Sequence, residues 1–374
     1  MIARRAAELC SAMAIAMAAA GGALAVPKAV SSRRAAPARL EGVPRYAHIF
    51  VILAENKSYD EIIGGANAPN FSRLAKAYGD ATRFYGEVHP SEANYVALLG
   101  GDTFGIHDDD PWFCKTGATD PACLNASREH PYPDHTVHSP GLSDQLNAAH
   151  LTWKGYYEDL PAPGSLAYIA SDPAISDGTR FTALYAAKHS GFTNFASVQG
   201  DPNRARRLVG FDAFEADLKA GRLPNFALIV PNQCNEMHGL VGARVPADCE
   251  GHNTAGLIRR GDAEIGKLVA EIQATPMWRS RQNVAIVLTF DEGLPGERTG
   301  CCGVTPDQPS NYGGGHIPTV VITNHGPHGL ADATPYNHYS LLRTIEDAFG
   351  ISEHLGHAAQ TDKGVVPMTA LFGG

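Results

Sequence analysis

Two acidic pairs in the sequence carry the residue types of a metal centre. Glu55-Asn56 and Asp291-Glu292 each come directly after a short apolar run. If both runs are strands of a parallel sheet, the side chains that follow them lie at the edge where ligands of open α/β sheets bind. Oxygen donors of this kind suit a hard divalent cation. One such pair alone is more typical of a helix cap or a solvated turn, so the metal interpretation depends on both pairs occurring together.

Ser91 is a candidate nucleophile. It stands directly before a helix-like run, EANYVALLGG. Backbone N–H groups at a helix N-terminus, the helix dipole and a nearby metal can together stabilise a serine alkoxide. The alternative is that Ser91 only caps the helix. The segment does not have the Gly-x-Ser-x-Gly pattern of a serine-hydrolase elbow, so that class of enzyme is unsupported.

The elements that must position these residues can be read from hydrophobic periodicity. Short apolar runs rich in Val and Ile end abruptly in polar residues at 47–53, 226–230 and 284–290. Runs of this kind predict strands that are covered on both faces, which is typical of a mostly parallel sheet. Helical patterns lie at 254–273 and 337–349. The alternation predicts an α/β sandwich.

Two long segments show little periodicity and much Gly, Pro and Asp. They are 101–140 and 293–315. Segments of this composition next to strand ends predict long loops around a binding site rather than further domains.

The amino-terminal residues resemble an export signal. Residues 1–25 combine a basic start with an apolar run and a small-x-small site, which predicts a cleaved signal peptide and a secreted or periplasmic protein. The alternative, a membrane anchor, needs ~20 apolar residues, and the run is shorter. Residues 26–44 are predicted to be a flexible lead-in and 45–374 a single domain. A net charge of −9 without Lys/Arg clusters argues against nucleic acid as a partner.

The number of cysteines also supports a secreted or periplasmic protein. The chain has seven cysteines, and removal of the signal peptide with Cys10 leaves an even number. In an exported chain an even number favours disulfides. Cys114 and Cys123 are close enough in sequence to close a local loop, whereas the pairing of the others stays open. A zinc site made of cysteines is the alternative, but the sequence has no Cys-x-x-Cys spacing to support it.

Several sequence blocks together resemble a known family. HIFVILAENKSYDEIIG is similar to the opening of the phosphoesterase family of secreted bacterial and fungal acid phosphatases and phospholipases C, in the alkaline-phosphatase superfamily. SEANYVALLGGDTFG, LPNFALIVPNQCNEMHG, VLTFDEG, GGGHIPTVVI and HYSLLRTIEDAFG resemble further family blocks in the expected order. The resemblance covers nearly all of the chain after residue 45. It implies an alkaline-phosphatase-like sandwich whose central, mostly parallel sheet is flanked by helices, with 45–374 as the catalytic domain.

The resemblance also implies roles for individual residues. One divalent metal is expected, with Mg²⁺ or Ca²⁺ favoured by the oxygen ligands and Zn²⁺ possible. The implied ligands are Glu55, Asn56, Ser91, Asp291 and Glu292. Ser91 would also be the nucleophile that forms a phosphoserine, and Asn94 would hydrogen-bond a phosphoryl oxygen.

A second metal is not expected, because the matching region offers Asn232, His238 and His316 without an aspartate at the strand end. His238 and His316 would take over its role by donating to phosphoryl oxygens or by protonating the leaving group. An imidazolium performs this best at acidic pH. Further residues expected beside the substrate are His89, His138 and Asn232.

The sequence therefore predicts a secreted, metal-dependent acid phosphatase that hydrolyses phosphate monoesters. The expected partner is a small phosphorylated molecule or a phospholipid headgroup, and no transmembrane anchor is expected after the signal peptide. One alternative is a phosphodiesterase of the phospholipase C type, although those family members are usually longer. Another is a non-catalytic metal-binding protein of the same fold.

Overall fold

The computed structural model describes residues 39–303 and 312–374. The predicted signal peptide at 1–25 lies outside the described residues, as does the predicted lead-in up to residue 38. The last residues of that lead-in belong to the folded body. Val43 is fully buried, and Glu41 forms an ion pair with Arg343.

A central sheet of eight strands organises the structure, and two small sheets lie beside it. The strands are β1 (His48–Ala54), β2 (Gly79–Ala81), β3 (Phe84–Tyr85), β4 (Trp153–Tyr157), β5 (Ile169–Ala170), β6 (Tyr185–Ala186), β7 (Leu208–Val209), β8 (Phe226–Val230), β9 (Val284–Phe290), β10 (His316–Ile317), β11 (Thr319–Thr323), β12 (Leu330–Asp332) and β13 (Tyr336–Asn337). The helices are α1 (Tyr59–Ile62), α2 (Pro69–Ala77), α3 (Glu92–Gly100), α4 (Leu142–Ala148), α5 (Ala196–Gln199), α6 (Arg204–Arg207), α7 (Phe211–Ala220), α8 (Thr254–Ala274), α9 (His338–Phe349) and α10 (Thr369–Phe372).

The central sheet is mostly parallel, as predicted. Its strand order is β12-β2-β11-β9-β1-β8-β4-β7. β1 pairs in parallel with both β8 and β9, so the strand that precedes Glu55 lies at the centre of the sheet. β11 is antiparallel to its neighbours β9 and β2. With helices on its flanks, this sheet confirms the predicted α/β sandwich.

Burial explains why the three main strands were visible in the sequence. Every residue of β8 and β9 is buried, and β1 exposes only part of its first residue. Strands covered on both faces need continuous apolar runs. β2 and β12 have three residues each, and sequence patterns this short carry no periodic signal.

The two long predicted helices are confirmed and have clear boundaries. The Asn253 side chain accepts the Gly256 N–H at the start of α8. Asn337 does the same for the Ser340 N–H at the start of α9. α9 ends at Gly350, whose φ of 74° is the left-handed conformation that glycine adopts without strain.

Helix α2 receives its N-terminal cap from another helix. Its own N-cap residue, Ala68, has no side chain that can accept a hydrogen bond. The Asp262 carboxylate on α8 instead accepts the backbone N–H groups of Asn70 and Phe71 at 3.1 and 2.9 Å. A negative charge at this position also interacts favourably with the helix dipole. Asp262 therefore joins two helices through buried, charge-assisted hydrogen bonds.

Replacing Asp262 with Ala is expected to lower the free energy of unfolding by about 2–3 kcal/mol, because buried N–H groups of α2 lose a charged acceptor. Urea unfolding followed by circular dichroism measures this change. The matched control is Glu264→Ala on the same helix. Glu264 pairs with the exposed Lys267, and its loss should cost under about 0.5 kcal/mol. Equal effects of the two substitutions would contradict the capping role.

The six cysteines of the described residues form three disulfides. Cys114 bonds Cys123, as the sequence indicated. The other pairs are Cys234–Cys249 and the adjacent Cys301–Cys302. Residues 101–140 contain neither helix nor strand, which agrees with the predicted long loop. Among the described residues, no helix combines the length and apolar character that crossing a membrane requires.

Candidate active site

The two predicted acidic pairs meet at the carboxyl ends of β1 and β9. Ala54 pairs with Phe290 in the sheet register, so Glu55 and Asp291 leave adjacent strands side by side. Both are fully buried. The Asn56 backbone N–H donates to Asp291 Oδ1 at 3.1 Å, and its side-chain amide donates to Glu292 Oε1 at 2.7 Å. The structure thus brings all four residues into one cluster.

Asn56 occupies a backbone conformation that few residue types accept. Its φ is 50°, in the left-handed region. Asparagine is one of the few non-glycine residues found there readily. This turn directs the amide of Asn56 toward Glu292. Asparagine therefore both adopts the left-handed backbone conformation and donates a hydrogen bond within the site.

Ser91 faces Glu55 rather than capping its helix. It stands at the N-cap of α3, but its side chain makes no capping hydrogen bond. Its hydroxyl donates instead to Glu55 Oε2 at 2.9 Å. The other oxygen of Glu55 accepts the Tyr95 hydroxyl at 2.6 Å. The Ser91 oxygen therefore lies within hydrogen-bond distance of the carboxylate cluster.

A second group of residues borders Glu55 on the side of β8 and the 187–189 turn. His189 Nε2 lies 3.3 Å from Glu55 Oε2, and its Nδ1 lies 2.6 Å from Glu236 Oε1 without the alignment of a hydrogen bond. His238 completes the group, since ligand atoms of Glu55, His189 and His238 all lie within 4.8 Å of one another. These three residues can hold a metal ion.

Lys188 brings a positive charge to this second group. Its ammonium donates to Asp109 at 2.9 Å and lies 3.3 Å from His238 Nε2. Burial lowers the pKa of Lys188, but the nearby carboxylates, Asp109 foremost, raise it by more, so the amine stays protonated. His238 Nδ1 hydrogen-bonds the Gly239 carbonyl at 2.8 Å, which leaves Nε2 as the acceptor that faces Lys188.

The electrostatics of the site follow from burial. Desolvation raises the pKa of Glu55 and Glu236, and Asp291 adds repulsion to both. Burial likewise raises the pKa of Glu292 to about 8. Desolvation and Lys188 together lower the pKa of His238 to about 3. The buried carboxylates thus lack enough cationic partners, whereas His238 is a neutral imidazole.

This arrangement fits a divalent cation. Asn56 Oδ1 and Asp291 Oδ2 are buried and have no hydrogen-bond partner among the described residues. Both atoms are oxygen donors at the strand ends. Such unpaired, buried oxygens cost free energy unless a cation or water satisfies them. The strand-end cluster therefore has the donor atoms and the excess negative charge that a metal requires.

Two buried residues, Glu87 and His338, hold the carboxyl end of β9 in place. The His338 backbone N–H donates to Glu87 Oε1 at 2.9 Å, and its ring Nδ1 lies 2.5 Å from Glu87 Oε2. Ring Nε2 faces the Phe290 carbonyl at 2.8 Å. Burial lowers the pKa of His338, but Glu87 raises it by more. Each ring nitrogen faces an oxygen acceptor, which favours the protonated ring. This pair anchors the residue that precedes Asp291.

Of the other predicted site residues, His89 lies at the margin of the cluster. Its Nδ1 is 2.7 Å from Glu292 Oε2, and its Nε2 is 2.8 Å from the Glu297 carbonyl. Asn94 is close in sequence to Ser91 but directs its amide to the backbone. Its Oδ1 accepts the N–H groups of Glu87 and Val88, and its Nδ2 donates to the Val88 carbonyl.

Three predicted residues make their contacts outside the carboxylate cluster. His316 hydrogen-bonds the Thr82 carbonyl at 2.9 Å and stacks on Tyr59. The side chain of His138 is 73% exposed and lies near Asp134. Asn232 accepts the N–H groups of Cys234 and Asn235 and donates to Asp159, which shapes the loop before Glu236.

The sequence interpretation missed four residues of the second group: Asp109, Lys188, His189 and Glu236. Glu236 lies inside the block LPNFALIVPNQCNEMHG, three residues after Gln233, and its acidic side chain was the available signal. Lys188 and His189 lie in a short 3₁₀ turn after a two-residue strand. Neither element has a periodic pattern, so their position beside Glu55 follows only from the tertiary structure.

The sequence of this chain is similar to those of known proteins. The model of the phosphoesterase family matches residues 65–352. A phosphatidylinositol-3-phosphatase of Mycobacterium tuberculosis is 28% identical over 88% of this chain and 84% of its own length. An acid phosphatase of Aspergillus fumigatus is 31% identical over 53% of this chain, a match that spans 38% of the fungal protein.

A solved structure supports the fold independently. It is an alkaline-phosphatase superfamily protein of Vibrio parahaemolyticus, with a TM-score of 0.50, 12% identity, and coverage of 84% of this chain and 69% of its own. The family match extends over most of the chain and encloses Ser91, Asp291 and the residues around Lys188. On this evidence the chain belongs to the phosphoesterase family and is a hydrolase that acts on phosphate ester bonds.

Proposed function

We propose that this chain is an exported, metal-dependent acid phosphatase that hydrolyses phosphate monoesters through a phosphoserine on Ser91. The observation that carries the proposal is the hydrogen bond from the Ser91 hydroxyl to Glu55, at the point where the buried carboxylates Glu55, Asp291 and Glu292 meet. The names of the relatives support the monoester choice, since the proteins described above are phosphatases. Export is supported by the predicted signal peptide and is compatible with three disulfides.

In the proposed reaction the Ser91 oxygen attacks phosphorus in line with the ester bond. A bond forms between Oγ and phosphorus while the ester P–O bond breaks, and the alcohol leaves with a proton taken from solvent. Glu55 Oε2 accepts the Ser91 hydroxyl at 2.9 Å and is the nearest acceptor for its proton. Water then hydrolyses the phosphoserine, which releases phosphate and restores the serine.

A divalent cation bound here would stabilise the negative charge on the attacking and phosphoryl oxygens. The residues that would hold it are the strand-end pairs Glu55-Asn56 and Asp291-Glu292. Their oxygen donors favour Mg²⁺ or Ca²⁺, whereas the neighbouring imidazoles of His189 and His238 suit Zn²⁺. Metal analysis of the purified protein, followed by reconstitution with each ion, distinguishes these choices.

We assign Lys188 and His238 different roles in this reaction. His238 is neutral, and its Nε2 is an acceptor, so the geometry favours it as a ligand or orienting group rather than as the imidazolium expected from the sequence. Lys188 supplies a lasting positive charge beside it and can donate to phosphoryl oxygens. The ammonium thus provides charge that a second metal would otherwise supply.

Replacing Lys188 with Met is expected to lower kcat/KM for a monoester about 100-fold, as loss of one preorganised donor does in other sites. The content of bound metal should stay unchanged, because the strand-end ligands are intact. Steady-state kinetics and elemental analysis measure the two quantities. Lys154→Met is the matched control, since Lys154 pairs with Asp217 instead of the site. Wild-type kinetics in Lys188→Met would remove Lys188 from the mechanism.

The function itself is tested with two chromogenic esters. The purified protein should release phosphate from p-nitrophenyl phosphate and should lose this activity with chelator. The similarity to an acid phosphatase leads us to expect a faster rate at acidic than at neutral pH. Preferential cleavage of bis-p-nitrophenyl phosphate would instead support a phospholipase C type of phosphodiesterase. No turnover of either ester by folded, metal-loaded protein would support a non-catalytic binding protein. Because one relative is named for a phosphoinositide substrate, phosphatidylinositol 3-phosphate belongs among the natural monoesters tested.

A further inference from the structure

A cleft of about 520 Å³ opens beside the second group of site residues. Its lining includes Asp109, Lys188 and His238 of that group. Ser91 is not among the lining residues. In an in-line displacement the leaving group departs away from the nucleophile. A cleft that reaches Lys188 and His238 is therefore suitably placed for the leaving group of a substrate held at Ser91.

The outer walls of the cleft are unusually apolar for exposed surface. Five large hydrophobic side chains are exposed in the part of the chain that the structure describes. Four of them line this cleft: Leu124 at 37%, Tyr168 at 37%, Phe181 at 59% and Val241 at 69% exposure. Single exposed hydrophobic residues are ordinary, but their concentration around one concave surface is typical of a binding site.

Two polar side chains of the same walls, Gln233 and Thr179, are already hydrogen-bonded within the protein. Gln233 donates its amide to the Ala183 carbonyl at 2.6 Å. Thr179 donates its hydroxyl to Asp177 at 2.7 Å. The guanidinium of Arg180 lies 5.1 Å from the centre of the Phe181 ring. Apart from the exposed Arg180, the walls consequently present few free groups for the hydroxyls of a sugar or a nucleoside.

The walls are also held in place, which indicates a preformed cleft. Asp110 accepts the N–H groups of Leu124 and two following residues at 2.7 to 3.1 Å. The Val241 N–H donates to the Phe181 carbonyl at 2.9 Å, so the two most exposed residues lie on adjoining segments. The Cys114–Cys123 and Cys234–Cys249 disulfides each close a loop that contributes to the lining. A rigid cleft loses little conformational entropy when a ligand binds.

We propose that this cleft is the leaving-group subsite and that it selects phosphate monoesters whose leaving group is apolar. The proposal rests on the proposed function and adds the substrate class. Phe181 and Val241 are the specificity-determining residues, because they are the most exposed apolar residues of the lining. The apolar group can belong to a soluble alkyl or aryl ester or to a lipid, and the chemistry that the cleft recognises is the same.

The test compares monoesters that share the phosphate but differ in the apolarity of the alcohol. Wild-type kcat/KM should rise from glycerol phosphate through butyl to hexyl phosphate, by about twofold to fourfold per added methylene. In the Phe181→Ser/Val241→Ser variant, the ratio of hexyl to glycerol phosphate should fall at least about tenfold. Leu294→Ser, an exposed apolar residue outside the cleft, should keep the wild-type ratio. A flat wild-type series would overturn the proposal.

A binding measurement tests the cleft assignment separately from the phosphatase proposal. Calorimetry with Ser91→Ala should show tighter binding of hexyl than of glycerol phosphate, and Phe181→Ser/Val241→Ser should remove the difference. If no ester is turned over but this preference is found, the phosphatase proposal fails. The cleft is then still a binding site for the apolar group of the ester. Equal binding of the two esters would overturn the cleft assignment even in an active enzyme.

A comparison of a soluble lipid with a lipid in vesicles identifies the source of the apolar group. Dihexanoyl phosphatidic acid, used as a soluble monomer, is compared with phosphatidic acid in phosphatidylcholine vesicles. If kcat/KM for the monomer falls in the Phe181→Ser/Val241→Ser variant, the cleft is a leaving-group subsite. Dependence seen only with vesicles would show that the two residues dock on a lipid surface, which would contradict the proposal.

Discussion

Replacing Ser91 with Ala is expected to lower kcat for phosphate monoesters at least about 1,000-fold, the scale seen when a catalytic nucleophile is removed. The Ser91 hydroxyl donates to Glu55 and makes no capping bond, so its loss should leave α3 intact. Steady-state kinetics gives the activity, and circular dichroism gives the stability. Rapid acid quenching of wild-type protein with substrate, followed by peptide mass spectrometry, should find phosphate on Ser91.

The matched control for that substitution is Ser340→Ala. Ser340 is also buried, and its hydroxyl has no hydrogen-bond partner among the described residues. It lies on α9, so the control removes a buried serine hydroxyl without touching the carboxylate cluster. Ser340→Ala should remain fully active. More than a tenth of wild-type activity in Ser91→Ala, with no phosphopeptide in the wild type, would refute the phosphoserine mechanism.

The second large effect is expected at Asp291. Asp291→Asn should lower kcat/KM at least about 100-fold and reduce the bound metal measured by elemental analysis, because a buried anionic ligand is lost. One oxygen of the carboxylate is bonded to the Asn56 N–H, and the other has no hydrogen-bond partner among the described residues. Chelator should produce the same loss of activity in the wild type, and the active ion should restore it.

Thermal unfolding distinguishes a metal ligand at position 291 from a purely structural aspartate. The metal stabilises only the protein that binds it, so with metal the wild type should melt at a higher temperature than Asp291→Asn. In chelator this order should disappear or reverse, because without the metal the charge of Asp291 repels Glu55 and Glu236. Asp217→Asn, which breaks a buried contact with Lys154 and Tyr156, should cost stability under both conditions and keep the metal. An Asp291→Asn protein that retains full metal content would contradict the assignment.

Much of the fold and the central acidic pairs could be predicted from the sequence alone. The buried parallel strands β1, β8 and β9 require continuous apolar runs, and such runs are visible without an alignment. Residues that follow such strands must meet at one edge, which is why Glu55 and Asp291 were predicted to converge. The Cys114–Cys123 pair was also predictable, because short sequence separation keeps two cysteines close in space.

The roles of residues outside the long strands could not be obtained in the same way. His316 and His238 both lie in family-like blocks, yet only His238 lies beside Glu55, whereas His316 packs on Tyr59. A block of sequence places a residue near a strand end but does not give the direction of its side chain. That direction is set by local turns and by packing against residues far away in the chain.

The sequence by itself determined the α/β architecture, the acidic pairs at the strand ends and Ser91 as a candidate nucleophile. The tertiary structure decided that Ser91 bonds Glu55 instead of capping α3, and that Lys188 and His189 border the same carboxylate. It also assembled the apolar cleft from chain segments that are far apart in the sequence, from Asp109 to Val241. The physical reason is that the pattern of buried and exposed residues along a strand or helix depends on residues close in sequence. Contacts between irregular segments depend instead on how the whole sheet and its loops pack.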